Sequence, residues 1–142
     1  MGDRAYIFVA DDKSRDDALL GVYLFTHWGG SDLPFVFQAA LALRLRWDDP
    51  SYLARIVFCA MVRGVEEEEA GFGISATLGD NDHLVIVADC QNRKVAFCRP
   101  DIFESYGIQE GAIASWSFEE YVTLPLDVLS TAWTTEDDDD GS

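Results

Sequence analysis

The chain has 142 residues, 49% of them apolar and 13% aromatic, with 26 acidic side chains against ten basic ones and a formal charge of −16. That much apolar material excludes a disordered chain and suffices for the core of one domain. A field of that sign repels nucleic acid and anionic membrane, and it draws in basic protein surfaces and cations.

Arg4–Ala10 reads as a first strand, Tyr6, Phe8 and Ala10 alternating with Ile7 and Val9. The polar loop Asp11–Leu19 leads to a second strand, Leu20–Thr26, and then to a turn over His27-Trp28-Gly29-Gly30-Ser31-Asp32. A helix begins near Leu33, with Ser31 or Asp32 as its cap and Pro34 in the first turn. Its run to residue 46 is apolar around most of the circumference, so it needs cover from the sheet and a second helix, or from another copy of the chain.

The second helix follows Asp48-Asp49-Pro50-Ser51 and stops at Gly64. Leu53, Ile56, Val57, Ala60 and Met61 form its apolar side, while Ser51, Arg55, Cys59 and Arg63 recur every four residues on the other. Glu66–Glu69 reads as a solvated loop. Phe72–Leu78, Leu84–Asp89 and Lys94–Arg99 read as an antiparallel meander, the middle strand apolar without alternation and therefore central. Pro100–Gly111 is irregular or a short helix. Ser115–Phe118 is either a last strand or, through Ser117 with Glu119 and Glu120, the cap of a final helix that Pro125 ends.

These elements define an α+β fold: a single mainly antiparallel sheet of about five strands with two central helices and a C-terminal helix. The domain spans residues 1–134, and 135–142 form an acidic solvated tail. With no apolar run long enough for a membrane span or a signal peptide, a cytoplasmic protein is expected. Cys59, Cys90 and Cys98 are expected to be reduced. A hairpin turn around Asn92-Arg93 sets Cys90 opposite Val95 and Cys98 opposite Val87, so they do not bridge.

Charge is the leading functional signal. Residues 33–65 hold two acids and four arginines, and the rest of the chain holds 24 acids against six bases. Glu66, Glu67, Glu68, Glu69, Asp80 and Asp82 are the candidate partner-binding residues, presented to a basic nucleic-acid-binding protein whose groove the carboxylates would occupy in place of phosphates. A second reading is a nucleotide or other small-ligand binder, or a hydrolase, built from His27, Trp28, Asp32, Trp47, Tyr52, Arg55 and Asp89. Here the glycine pair and the helix start would hold an anion and Trp28 would stack on a base. A third is a homodimer that buries the apolar helix 33–46.

No metal site and no cofactor are expected. There are two histidines and no cysteine pair at zinc spacing, and Asp80-Asn81-Asp82 lacks the later glycine and glutamate of a calcium loop. No spacing sets a base beside a nucleophile, which argues against an enzyme.

The strings Thr26-His27-Trp28-Gly29-Gly30 with Leu33-Pro34, Arg46-Trp47-Asp48-Asp49 with Ser51-Tyr52-Leu53-Ala54-Arg55-Ile56, and Gly71-Phe72-Gly73-Ile74-Ser75 carry a resemblance. Over residues 1 to about 122 the chain resembles a family of small uncharacterised proteins of actinobacteria and their phages. The resemblance implies no activity, and its phage association implies a host-takeover or anti-defence role. Glu66–Glu69 and the acidic tail look like additions of this member.

Overall fold

A computed structural model describes residues 2–134. The acidic tail expected at 135–142 lies outside the described residues. The chain is organised around β1 (Ala5–Ala10), every residue of which is buried. On one side β1 pairs antiparallel with β2 (Gly21–Thr26), and on the other it pairs parallel with β4 (Val85–Asp89). β3 (Phe72–Ser75) closes one edge on β2, while β5 (Lys94–Cys98) and β6 (Ala112–Ser117) extend the other, giving the order β3-β2-β1-β4-β5-β6.

The α+β class therefore stands, with six strands and one parallel pairing among antiparallel ones. The expected meander does not form as read. Of its three strands only β4 and β5 pair, because β3 pairs with β2 at the far edge and leaves β4 to insert beside β1; the consecutive antiparallel runs are β1-β2-β3 and β4-β5-β6. The β4–β5 register also differs from the expectation: Cys98 sits opposite Val85 and Val95 opposite Ala88, separated by a four-residue turn with Arg93 at φ 53°. Cys90 lies in that turn, and all three cysteines are free.

Both faces of the sheet are covered. Ala5, Ile7 and Val9 point into the larger core with α1 (Leu33–Leu41), α2 (Pro50–Met61), α5 (Phe118–Val122) and α6 (Leu126–Trp133). Tyr6, Phe8 and Ala10 point into the second core, which α3 (Pro100–Tyr106) closes with Phe103 and α4 (Ile108–Gly111) with Ile108. Both alternatives at the C-terminal region occur together. Ser117 ends β6 and caps α5, its Oγ accepting from Glu120 N while Glu120 Oε1 accepts from Ser117 N. Pro125 then precedes a further helix, α6, that sequence reading had not separated.

The apolar helix expected over 33–46 ends at Leu41, with Arg44 and Arg46 both at φ 57°. The cause is tertiary. Trp47 is buried against Phe118, its indole N–H donates at 2.9 Å to the Leu41 carbonyl, which also accepts from Arg44 N at 3.0 Å, and the Arg44 guanidinium lies over its ring. Leu43 and Leu45 are left about half exposed. Cover for α1 comes from its own chain: α2, α5 and α6 pack on it, and Gln38 donates to the Tyr121 and Leu124 carbonyls. Asp32 sits at the start of α1 but makes no side-chain cap. Among the described residues no helix is long and apolar enough to cross a membrane.

Candidate functional site

The registers fix which candidates can meet. Thr26 lies beside Ala5 and Asp89 beside Ala10, five residues along β1. At about 3.4 Å per residue these positions are about 17 Å apart. His27, Trp28 and Asp32 therefore stand at one end of the sheet and Asp89 at the other. Trp47 is a core residue, Tyr52 lies under the Arg46 guanidinium at 4.4 Å, and Arg55 lines a cleft between α2 and β2. The seven do not converge on one site.

At the first end, β2 finishes and β1, β3 and β4 begin. His27 N donates to Gly71 O at 2.8 Å, and the His27 ring stacks on Phe25. Gly71 holds φ 106° directly under Trp28, where a Cβ would come within 2.9 Å of the indole. The indole is 61% exposed. Because Gly71 follows the loop out of α2, Glu66–Glu69 are brought to this same end, all four exposed. Asp32 is exposed there too.

Asp80 and Asp82 also belong to this end but are partly committed. Arg4 reaches them at 3.6 and 3.7 Å, and Asp82 Oδ2 accepts from Arg4 N at 2.8 Å. By contrast, among the described residues no hydrogen bond or ion pair engages the side chains of Asp32 or Glu66–Glu69. The chain leaves the described residues at Thr134, beside Trp133, whose indole N–H donates to Gly30 O at this end.

Sequence reading missed the best-tied group here, Asp3 and His83. They are bonded at 2.5 Å, and His83 stacks face to face on Trp133 with centroids 5.1 Å apart. Asp3 also accepts from Ser31 N at 2.8 Å, and its main-chain carbonyl accepts from Gly30 N. Burial pulls the Asp3 carboxyl upward, but the bonds from His83 and Ser31 outweigh it and hold it below its ordinary value of 3.8.

Serine and histidine here both turn to one carboxylate instead of to each other. That arrangement ties the N-terminal segment to β4 and α6; it does not activate a hydroxyl. The two residues are 80 apart in sequence. Only the parallel pairing of β1 with β4 brings them together, so no local pattern signals the pair.

The opposite end is also acidic, but there the carboxylates hold loops. Asp16 accepts from Ile108 N and Gln109 N, Asp11 from Lys13 N, Asp49 from Tyr52 N, and Asp89 from Asn92. Arg15 pairs with Asp17 at 3.5 Å. Burial first, and then the charges of Asp12, Asp89, Asp49 and Asp48, push the Cys90 thiol up to about 12. Asp89 faces a cleft of about 510 Å³ shared with Asp16, Lys94 and Gln109.

Fold and surface together define a small α+β protein whose ordered polar groups are spent on holding loops, with an aromatic side chain exposed among unengaged carboxylates. Comparison of the chain with protein-family models, curated sequences and solved structures gives no match.

Proposed function

We propose that the chain is an acidic interaction protein that binds a basic nucleic-acid-binding protein and blocks its groove. The observation that supports this most is Trp28, exposed at the end of the sheet where Asp32 and Glu66–Glu69 carry no side-chain hydrogen bond or ion pair among the described residues. Tight protein interfaces centre on a desolvated aromatic anchor within a polar rim, and tryptophan is among the residues that carry most of the energy. Asp32, Glu66–Glu69, Asp80 and Asp82 all stand at this end, with Arg4, Arg63 and Arg99, and five more acids follow Thr135 in the sequence. Carboxylates in that density compete for the arginines and lysines that would otherwise neutralise phosphates. The resemblance to actinobacterial and phage proteins adds the setting: a bacterial cytoplasm, in host takeover or anti-defence.

The test uses a labelled DNA duplex held by a purified small basic nucleoid protein, with release followed by fluorescence anisotropy. The chain should release the duplex at low salt and lose that ability as salt rises. Trp28→Ala should weaken the effect about thirtyfold, the size of a hot-spot loss of about 2 kcal/mol. Replacing Glu66–Glu69 by glutamine should weaken it further. Release that is indifferent to both changes would reject the assigned face.

A further inference from the structure

A different surface carries the chain's own small-molecule site. Val22, Leu24 and Ile74 share the face of the sheet that bears α2, since Val22 and Leu24 alternate on one strand and Ile74 is the cross-strand neighbour of Leu24. α2 crosses over Leu24 and buries it completely, but stops short of the edge, leaving Val22 36% and Ile74 59% exposed. Between helix and edge lies a cleft of about 380 Å³, completed by Ala54 and Phe58. Its volume falls within the range of small-ligand pockets, and its lining is mostly apolar, as such sites require.

One cation enters this lining. Arg55 lines the cleft, and among the described residues its guanidinium has no hydrogen bond or ion pair, although the chain carries more than two acids for every base. Arg44 and Arg46 in the same region are engaged with the rings of Trp47 and Tyr52. The polar groups beside Arg55 are the Ser51 hydroxyl, one turn before it on α2, and Asp11, whose carboxylate is held by Lys13 N. The Asp11 charge opposes a second negative group on a ligand.

From this geometry we infer that the cleft binds a small monocarboxylate with an apolar body. Its head pairs with Arg55 in the two-pronged geometry that a guanidinium offers a carboxylate, and its chain lies over Val22, Phe58 and Ile74.

Cys59, one turn beyond Arg55 and also in the lining, reports occupancy. It is the exposed thiol, whereas Cys90 and Cys98 are buried. Neutral iodoacetamide should therefore alkylate Cys59 alone, and octanoate should protect it. At an octanoate concentration about four times its dissociation constant, mass action sets the fall in rate at about fivefold. Octanol and octylamine should protect far less, and Arg55→Gln should weaken octanoate about tenfold, the scale of a lost charge-assisted bond.

Cys90 and Cys98 serve as the folding control. If they become reactive in Arg55→Gln, Arg55→Lys replaces it and should keep partial protection. Absent protection by octanoate, equal protection by octanol, or undiminished protection in the folded Arg55 variant would each overturn the proposal. So would a Cys59 that is unreactive in the ligand-free chain because a second copy covers the cleft, which sedimentation would reveal.

Discussion

Gly71→Ala probes the proposed face from underneath. Gly71 adopts φ 106°, a conformation that L side chains rarely take, and an added Cβ would lie 2.9 Å from Trp28 Cζ3 and 3.1 Å from Cε3. Two costs therefore separate. Forcing alanine into that backbone region costs about 1–3 kcal/mol wherever Trp28 goes. Displacing the indole is a smaller cost of about 0.5–1 kcal/mol, because the ring is mostly exposed and moves at the price of its contacts with Gly71 and with His27, which it meets edge-on at 5.9 Å.

Denaturant unfolding of the wild type, Gly71→Ala, Trp28→Ala and the double variant measures both. The midpoint should fall in Gly71→Ala at unchanged slope. It should fall less when alanine is introduced into the Trp28→Ala background, since the clash is gone and only the backbone cost remains. Trp28 supplies the most solvent-exposed indole of the chain, so Gly71→Ala should also shift the emission spectrum. A neutral Gly71→Ala, or an identical cost in both backgrounds, would refute the placement of Trp28 on Gly71.

Three further outcomes test the frame that holds the two surfaces. Tyr121→Phe removes a buried hydroxyl that donates to Pro34 O in the first turn of α1 at 2.7 Å; a loss of about 0.5–1.5 kcal/mol should appear in denaturant unfolding. The Asp3 carboxyl titrates below its ordinary 3.8 in the folded chain, so its contribution is present above that value and lost as pH falls through the lower folded value. Acid unfolding should accordingly be shallower in Asp3→Asn than in the wild type below about pH 4, and parallel curves would exclude the bond to His83 as its source. Burial, aided by neighbouring carboxylates, pushes the Cys90 and Cys98 thiols up to about 12, so thiol titration of the native chain at pH 8 should count one group, rising to three in denaturant.

Much of the fold is legible in the residues. In α2 the stripe Ser51, Arg55, Cys59 and Arg63 is exposed and Leu53, Val57 and Met61 are buried, as a 3.6-residue period requires. The unbroken apolar text of Leu84–Ala88 marks a strand covered on both faces, and β4 is one. Trp28 and Glu66–Glu69 are each conspicuous in the sequence, but Glu66 stands 38 positions after Trp28, and nothing local says that they share an end of the sheet.

Composition, charge, strand alternation and helix stripes were settled by the sequence, because each depends on neighbours a few positions away. Tertiary structure decided the rest. α1 ended five residues short of the expected boundary where Trp47 turns into the core and bonds the Leu41 carbonyl, and β3 left the expected meander for the far edge. Asp3 met His83 because β1 and β4 run parallel, and α2 stopped short of Ile74, opening the cleft beside Arg55. All of these turn on which distant segments pair. Pairing is set by the burial of the whole sheet and not by the preferences of any one stretch, since a four-residue strand such as β3 carries too little pattern to name its neighbour.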